Sequence, residues 1–274
     1  FVIRRCSNSC PRPVTIRTIA KRSFVSSTAD NAETASSLTH QHHDHAPPPS
    51  FDLESIRQAK PFTKWLASEM RSNHAGETGA VQIYCGALYA LDLRRSFRVP
   101  LYSNSVQGDQ YEANLRAFSM EHRDSEQSHV DLLEGIMDEE EQSTLLPAWR
   151  VAGFGLGFVS TIFCPRGMYL TTEAVESFVE EHYGYQIRRL KEEIGDSMAQ
   201  GAAKQPIQDC EITPGKKELM RMLQHCCEDE VEHKNQARER HAEGPFPWFD
   251  WVDTSWQYFV GVGSSIAADC AKKV

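Results

Sequence analysis

Twice in this chain a glutamate is followed three residues later by a histidine, each time inside a long helical tract. Glu126 and His129 lie in "DSEQSHVDLL", and Glu230 and His233 in "CCEDEVEHKNQARERHAE". Three positions is just under one turn, so both side chains of a pair leave the same helix face. A carboxylate and an imidazole so placed can share a cation, or they can belong to a solvated, charged face. Composition alone produces such a pair about once in a chain like this, so one pair is weak evidence. Two pairs, each in the middle of a separate long helix, say more.

The rest of the chain from Pro61 onward also reads as helices, with little strand-like alternation. One helix is predicted from near Thr63 to Arg95. It is followed by a break marked by Pro, Gly and Ser in "VPLYSNSVQGD", and then by a second helix from about Gln110 to Glu141. Pro147 opens a short apolar helix that Pro165 and Gly167 close, and a fourth helix runs from about Tyr169 to Ser197. "QGAAKQPIQDCEITPG" reads as a loop, with Pro214 starting a fifth helix that ends before Gly244. A sixth covers "WFDWVDTSWQYFVGVGSSIAADCAKK". The predicted fold is all-α: a ferritin-like four-helix bundle with two additional shorter helices.

The two remaining long helices each offer one Glu in small or apolar surroundings: Glu77 in "NHAGETGAVQIY" and Glu176 in "TTEAVESFV". One Glu from each of two helices, and Glu-x-x-His from each of the other two, is the ligand rule of a di-iron carboxylate bundle. Two close cations need bridging carboxylates against their repulsion, and one imidazole each leaves positions open for dioxygen. Carboxylate-rich ligation suits iron or manganese better than zinc or copper. An unpaired carboxylate at Glu77 or Glu176 would be costly, which weighs against six solvated residues. The predicted metal ligands are therefore Glu77, Glu126, His129, Glu176, Glu230 and His233.

The net charge of -9 argues against a nucleic-acid partner. The charge is uneven. Before Asp30 there is no acidic residue, while Arg4, Arg5, Arg12, Arg17, Lys21 and Arg22 stand among Ser and Thr. Residues 1–29 are expected to be a mitochondrial transit peptide. Residues 30–60, with "HQHHDHAPPPS", are expected to be a flexible His- and Pro-rich linker with adventitious metal affinity at most. The bundle domain is expected over 61–274. The eight cysteines show no paired C-x-x-C spacing, which suits free thiols in a reducing compartment. The apolar stretch from Val151 to Cys164 fits a buried or interfacial helix better than a membrane-spanning one.

From about Ser68 to the C-terminus the chain resembles the mitochondrial and bacterial demethoxyubiquinone hydroxylases of ubiquinone biosynthesis. "NHAGETGAVQIYCG" is similar to that family's first-helix signature, with His74, Ala75, Gly76, Glu77, Gly79, Ala80, Ile83 and Tyr84 in place. "EAVESFVEEHYGYQIRRL" resembles the motif around the third ligand position, with Glu176, His182, Tyr183, Gln186, Ile187 and Arg188. "EDEVEHKNQARERHAE" resembles the closing Glu-x-x-His. The chain departs from the family in longer segments between Glu77 and Glu126 and between Glu176 and Glu230, both in predicted loops that tolerate extension. It also has Glu180 where a small residue is expected, one turn from Glu176, as a supporting acid or alternative ligand. The His-rich linker has no counterpart in the family pattern.

The resemblance implies a di-iron monooxygenase that hydroxylates the ring of demethoxyubiquinone, a 2-polyprenyl-3-methyl-6-methoxy-1,4-benzoquinone, in the penultimate step of the pathway. It implies two iron ions, with dioxygen and NADH as co-substrates, and His182 and Tyr183 as candidate supporting residues around the ligands. Neither "GFGLGF" nor "GVGSSI" fits a dinucleotide fingerprint, so reducing equivalents are expected without a Rossmann domain. The apolar helix from Val151 and the aromatic segment with Trp248, Phe249, Trp251, Trp256, Tyr258, Phe259 and Val260 are the candidate lipid route. The expected setting is peripheral, on the matrix face of the inner mitochondrial membrane, beside a lipid-binding partner protein of the same pathway; homo-oligomerisation is left open. Two other readings compete: an accessory or scaffold subunit of a mitochondrial complex that retains the metal site, and ferritin-like metal storage. Iron content followed by quinone turnover separates the three.

Overall fold

The computed structural model describes residues 49–97, 105–163, 165–201, 209–242 and 250–273. The transit-peptide reading, the His-rich stretch, Trp248 and Phe249 lie outside these residues. Among the described residues there are seven α-helices, one 3-10 turn at Glu139–Glu141, and no strand. They are α1 (Leu53–Gln58), α2 (Lys64–Ser96), α3 (Ser105–Ile136), α4 (Leu146–Phe163), α5 (Pro165–Gly201), α6 (Asp209–Ala242) and α7 (Asp250–Ala271). Thr63 caps α2 by accepting a hydrogen bond from the Leu66 N–H at 3.2 Å. Arg94 and Arg95 stand in its last turn, where the helix dipole favours cations.

α2 packs on α3 and α5 packs on α6, giving the four long helices of a bundle. Each long helix turns one stripe inward at helical period. In α3 the buried stripe is Leu115, Phe118, His122, Glu126, His129, Leu133 and Ile136. In α6 it is Leu219, Leu223, Cys226, Glu230, His233 and Ala237. The predicted ligands therefore stand in the middle of the core stripes, where apolar side chains would ordinarily be.

They divide the core in two. One cluster joins Leu66, Met70, Leu133, Tyr183, Leu190 and Leu223; the other joins Tyr84, Leu91, Leu115, Phe118, Tyr169 and Ala237. Reading each helix from one cluster to the other gives its direction. α2 and α6 run one way, and α3 and α5 run the other. The bundle therefore requires a crossover between α3 and α5, and α4 lies within it.

α4 lies along α2, and α7 packs on α5 and α2. A Cβ on Gly153 would run into the carbonyl oxygen of Gly79, and one on Gly157 into that of Ile83. Gly86 in turn meets the Phe154 carbonyl oxygen. Only glycine allows backbones this close. Gly153 and Gly157 of "GFGLGF" are thus packing residues inside a helix, while Gly155 between them faces open space.

Several boundaries differ from the sequence reading. The stretch expected to be linker up to residue 60 ends in a packed helix, α1, because Ile56 is an apolar anchor fully buried against α3 and α6. α3 stops at Ile136 instead of Glu141, and a 3-10 turn follows after Asp138. The predicted loop before Pro214 is helical up to Gly201 and again from Asp209. Pro214 lies inside α6, past its four N-terminal amides, so it starts no helix here and removes one helical hydrogen bond in the second turn.

Candidate metal centre

The six predicted ligands come together at the middle of the bundle, all buried. Their donor atoms form two overlapping sets, each within 4.8 Å: Glu77, Glu126, His129 and Glu230 in one, and Glu126, Glu176, Glu230 and His233 in the other. Glu126 and Glu230 belong to both sets. His129 Nδ1 lies 3.0 Å from Glu230 Oε1 and 3.6 Å from Glu126 Oε2. His233 Nδ1 lies 3.1 Å from Glu126 Oε1 and 3.4 Å from Glu230 Oε2. Each shared carboxylate thus turns one oxygen to each imidazole. That is how a carboxylate bridges two cations.

These donors are left over by the protein's own hydrogen bonding. Both carboxylate oxygens of Glu126 and of Glu230, and Nδ1 of His129 and of His233, are buried without a hydrogen-bond partner. A buried polar atom left unpaired is expensive. Six such atoms at one point fit a cation pair far better than they fit a protein core.

The electrostatics agree. Burial, and then the neighbouring Glu230, push the Glu77 carboxyl up to about 8. Burial and the same neighbour also raise Glu176 well above the carboxylate range. Burial works against a charged His233, but Glu126 and Glu230 lift it to about 10. His129 is likewise held high against burial, by Cys226, Asp229, Glu126 and Glu230. Burial opposes charge on Glu126 as well, yet its two imidazoles pull it below the usual range. Without cations the cluster of carboxylates holds protons in their place.

The surrounding shell fixes the ligands. His129 Nε2 lies 3.0 Å from Asp229 Oδ2, which holds the proton there and leaves Nδ1 for the cluster. The Tyr183 hydroxyl donates to Glu77 Oε1, and that of Tyr84 reaches Glu176 Oε1 at 3.4 Å. His182 lies further out, 3.3 Å from Glu69 Oε2. Asp229 escaped the sequence reading because it sits in a run of acids, and only its register with His129 distinguishes it. Glu180, offered as an alternative ligand, pairs with Lys234 of α6 and stays out of the cluster.

A cavity of ≈ 300 Å³ reaches Glu77, Glu176 and Tyr183 between α2, α4, α5 and α7. Its walls are mostly small and apolar, with Ala75, Gly79, Ala80, Leu156, Gly263 and Ala267 among them. The pattern of the family described as ubiquinone biosynthesis protein COQ7 matches residues 64–255, and this span includes all six predicted ligand residues. The chain belongs to that family. Over 193 residues it is 28% identical to the mitochondrial NADPH-dependent 3-demethoxyubiquinone 3-hydroxylase of Dictyostelium discoideum, covering 70% of this chain and 71% of that one. The rat protein of the same name is 28% identical over 174 residues, 64% of each chain. The 3-demethoxyubiquinol 3-hydroxylase of Rhodospirillum rubrum is 34% identical over 122 residues, 44% of this chain and 50% of its own. This chain therefore spans less than two thirds of some relatives it matches. The names from Dictyostelium and rat specify NADPH, where the sequence reading expected NADH.

Proposed function

We propose that this protein hydroxylates the ring of a demethoxyubiquinone in ubiquinone biosynthesis. One ring C–H, dioxygen, two electrons and two protons give one C–OH and one water. The observation that carries the reading is the pair of overlapping donor sets sharing Glu126 and Glu230. Glu77 and His129 would complete one metal position, and Glu176 and His233 the other. Iron held there supplies activation of dioxygen by a reduced metal pair.

The chain's own residues do the rest. The cavity would take the quinone ring beside Glu77 and Glu176, and its small walls leave room for a flat ring. Tyr183 and Tyr84 hold Glu77 and Glu176 by hydrogen bonds that burial keeps protonated on the phenols. Tyr84 and Phe118 close one end of the site against water.

The isoprenoid tail leaves along α4 and α7. Val151 and Phe163 on α4 are 74% and 82% exposed, and Trp251 and Tyr258 on α7 are 68% and 75% exposed. By length and composition α4 is apolar enough to cross a membrane, but its glycine face is committed to α2. Peripheral attachment on the matrix face of the inner mitochondrial membrane, with a lipid-binding partner protein on the same surface, accounts for both facts. The reductant is a reduced nicotinamide dinucleotide. The test is iron content of the purified protein, then turnover of a short-chain demethoxyquinone with NADH and with NADPH. Product carrying one added oxygen atom from labelled dioxygen is expected. Iron-loaded protein that makes none with either reductant overturns the reading.

A further inference from the structure

The cavity beside Glu77 and Glu176 has a neighbour. A second cavity, of ≈ 180 Å³, lies between α4, α5 and α7. Its lining takes up where the first leaves off on all three helices. On α4 the first cavity stops at Leu156 and the second starts at Val159. On α5 they stop and start at Val175 and Leu170, and on α7 at Phe259 and Trp256. Each step is about one turn. Three helices give the same order, so the two cavities are successive stations along one groove. Between them on α7 stand Phe259 and Trp256, with ring centroids 6.0 Å apart. Trp256 is pinned by its hydrogen bond to Thr171, whereas Phe259 is 66% exposed. The second cavity is walled by Val159, Phe163, Leu170, Val252 and Trp256. Its polar groups are engaged within the protein: the Ser160 hydroxyl donates to the Gly157 carbonyl at 3.1 Å, and Arg166 pairs with Asp253 at 3.0 Å. Its rim reaches the exposed Phe163.

We propose that the second cavity is a subsite for an isoprene unit of the quinone's tail, through which the protein selects quinones by tail length. The inference rests on the hydroxylase reading, which places the ring in the first cavity. The size fits: an apolar cavity of about 150 Å³ takes up a benzene molecule, so this one has room for a five-carbon unit. The chemistry fits too, since an isoprene unit has only apolar surface to bury and the wall asks for no hydrogen bond. An acyl chain of a membrane phospholipid is the other apolar occupant. The tail has the advantage of being tied to a ring bound next door, which raises its local concentration at the second cavity. A mere packing void would need neither the alignment with the first cavity nor an opening at the exposed face of α4.

The test uses the full iron-loaded chain without reductant, and demethoxyquinones carrying one or three isoprene units. Calorimetry should show the three-unit quinone binding at least about tenfold tighter than the one-unit quinone. Val159→Trp is placed to fill the second cavity from α4, and Val252→Trp from α7. Either should bring the three-unit quinone down to the one-unit level, with one-unit binding within about twofold of wild type. A tail-length gain that survives both substitutions is nonspecific partition and overturns the subsite. If the variants do not fold, or lose the one-unit quinone as well, labelling of wild type decides. A photoactivatable diazirine on the third unit should mark the peptides around Val159 or Val252. Marking elsewhere overturns the proposal. So does a diazirine on a phosphatidylcholine acyl chain that marks these peptides and is not displaced by the three-unit quinone. The two readings fail separately. Tail-length binding in protein that makes no product once reductant is added sinks the hydroxylase reading and leaves a polyprenyl site; product without the tail-length gain sinks the subsite only.

Discussion

The four-helix body and the α4–α7 flank are built on opposite physical terms. The body places six charged or polar candidate ligands in the centre of its core stripes and leaves the carboxylates of Glu126 and Glu230 and Nδ1 of His129 and His233 without hydrogen-bond partners. It sacrifices stability for a site. The flank places glycines where backbones touch and leaves Val151, Phe163, Trp251 and Tyr258 in solvent. It is tightly joined and poorly covered. Substitutions in the body should therefore destroy chemistry while sparing the fold. Substitutions in the flank joint should damage the fold while sparing the metals.

The largest effect is expected from Glu176→Gln. It keeps the size and loses the charge, and several kcal/mol of metal and transition-state stabilisation go with it, so hydroxylation should fall by at least about a thousandfold. The metal-free variant should melt at or above the wild-type temperature, because a buried carboxyl that burial already disfavours has become neutral. Full activity would mean that the two donor sets are not the working site. The matching change in the flank is Gly157→Leu. Its side chain meets the Ile83 backbone, and overpacking there should cost about 1–3 kcal/mol in thermal unfolding. Iron content should stay at the wild-type level. If iron is lost too, body and flank are one cooperative unit and the contrast fails.

The same contrast explains what the sequence disclosed. The six residues that come together were legible because each is of a ligand type, at helix spacing, in the middle of a long helix. Which carboxylates belong to both donor sets was not legible, because spacing along a helix does not give how that helix is rotated about its axis. Gly153 and Gly157 looked like a failed nucleotide motif, since a glycine's role is set by the neighbouring backbone and α2 lies far off in sequence. Glu180 stands one turn from Glu176 on the same side, yet α6 supplies Lys234 and draws it away. Glu69 and Asp229 sat among ordinary polar residues, and only tertiary register shows what they face. The ends of α3, α5 and α6 were missed where long-range packing carries a helix past a local break signal.

A pH series on metal-free protein sharpens the comparison. Glu77, Glu176, His129 and His233 all hold protons more tightly in the folded state. Each contributes stability that is fully present below its unfolded value and is lost as pH rises through the folded one. For Glu77 the window runs from 4.5 to about 8, and for His233 from 6.5 to about 10. Glu126 is displaced the other way, so its contribution is present above 4.5 and is lost in acid. Between these limits the metal-free protein should melt progressively lower as pH rises. Ferrous iron should remove the slope and release protons as it binds, a release that calorimetry in buffers of different ionisation enthalpy would detect. A slope that survives iron loading would place the titrating groups outside the cluster.

The smallest effect should come from the exposed face of the flank, and here the two tryptophans of α7 part company. Trp256 donates from its indole nitrogen to Thr171 Oγ1 at 2.9 Å and packs on the core cluster around Tyr84 and Tyr169. Replacing it would damage packing and lipid contact together, so it cannot separate them. Trp251 is exposed, and so is Tyr258 two turns on, with Phe259 beside it at the cavity wall. Losing one large apolar side chain from a lipid contact costs about 1–2 kcal/mol, or roughly tenfold in membrane partition. Trp251→Ser should therefore slow turnover of a long-chain quinone in vesicles by about that factor, and leave a short soluble analogue within about twofold. High salt should not reproduce the effect, because a chain of net charge -9 gains little from anionic lipid. Equal losses on both substrates would mean that the exposed aromatics support the cavity and not the membrane. The flank would then be an extension of the body, with the glycine joint as its only distinct feature.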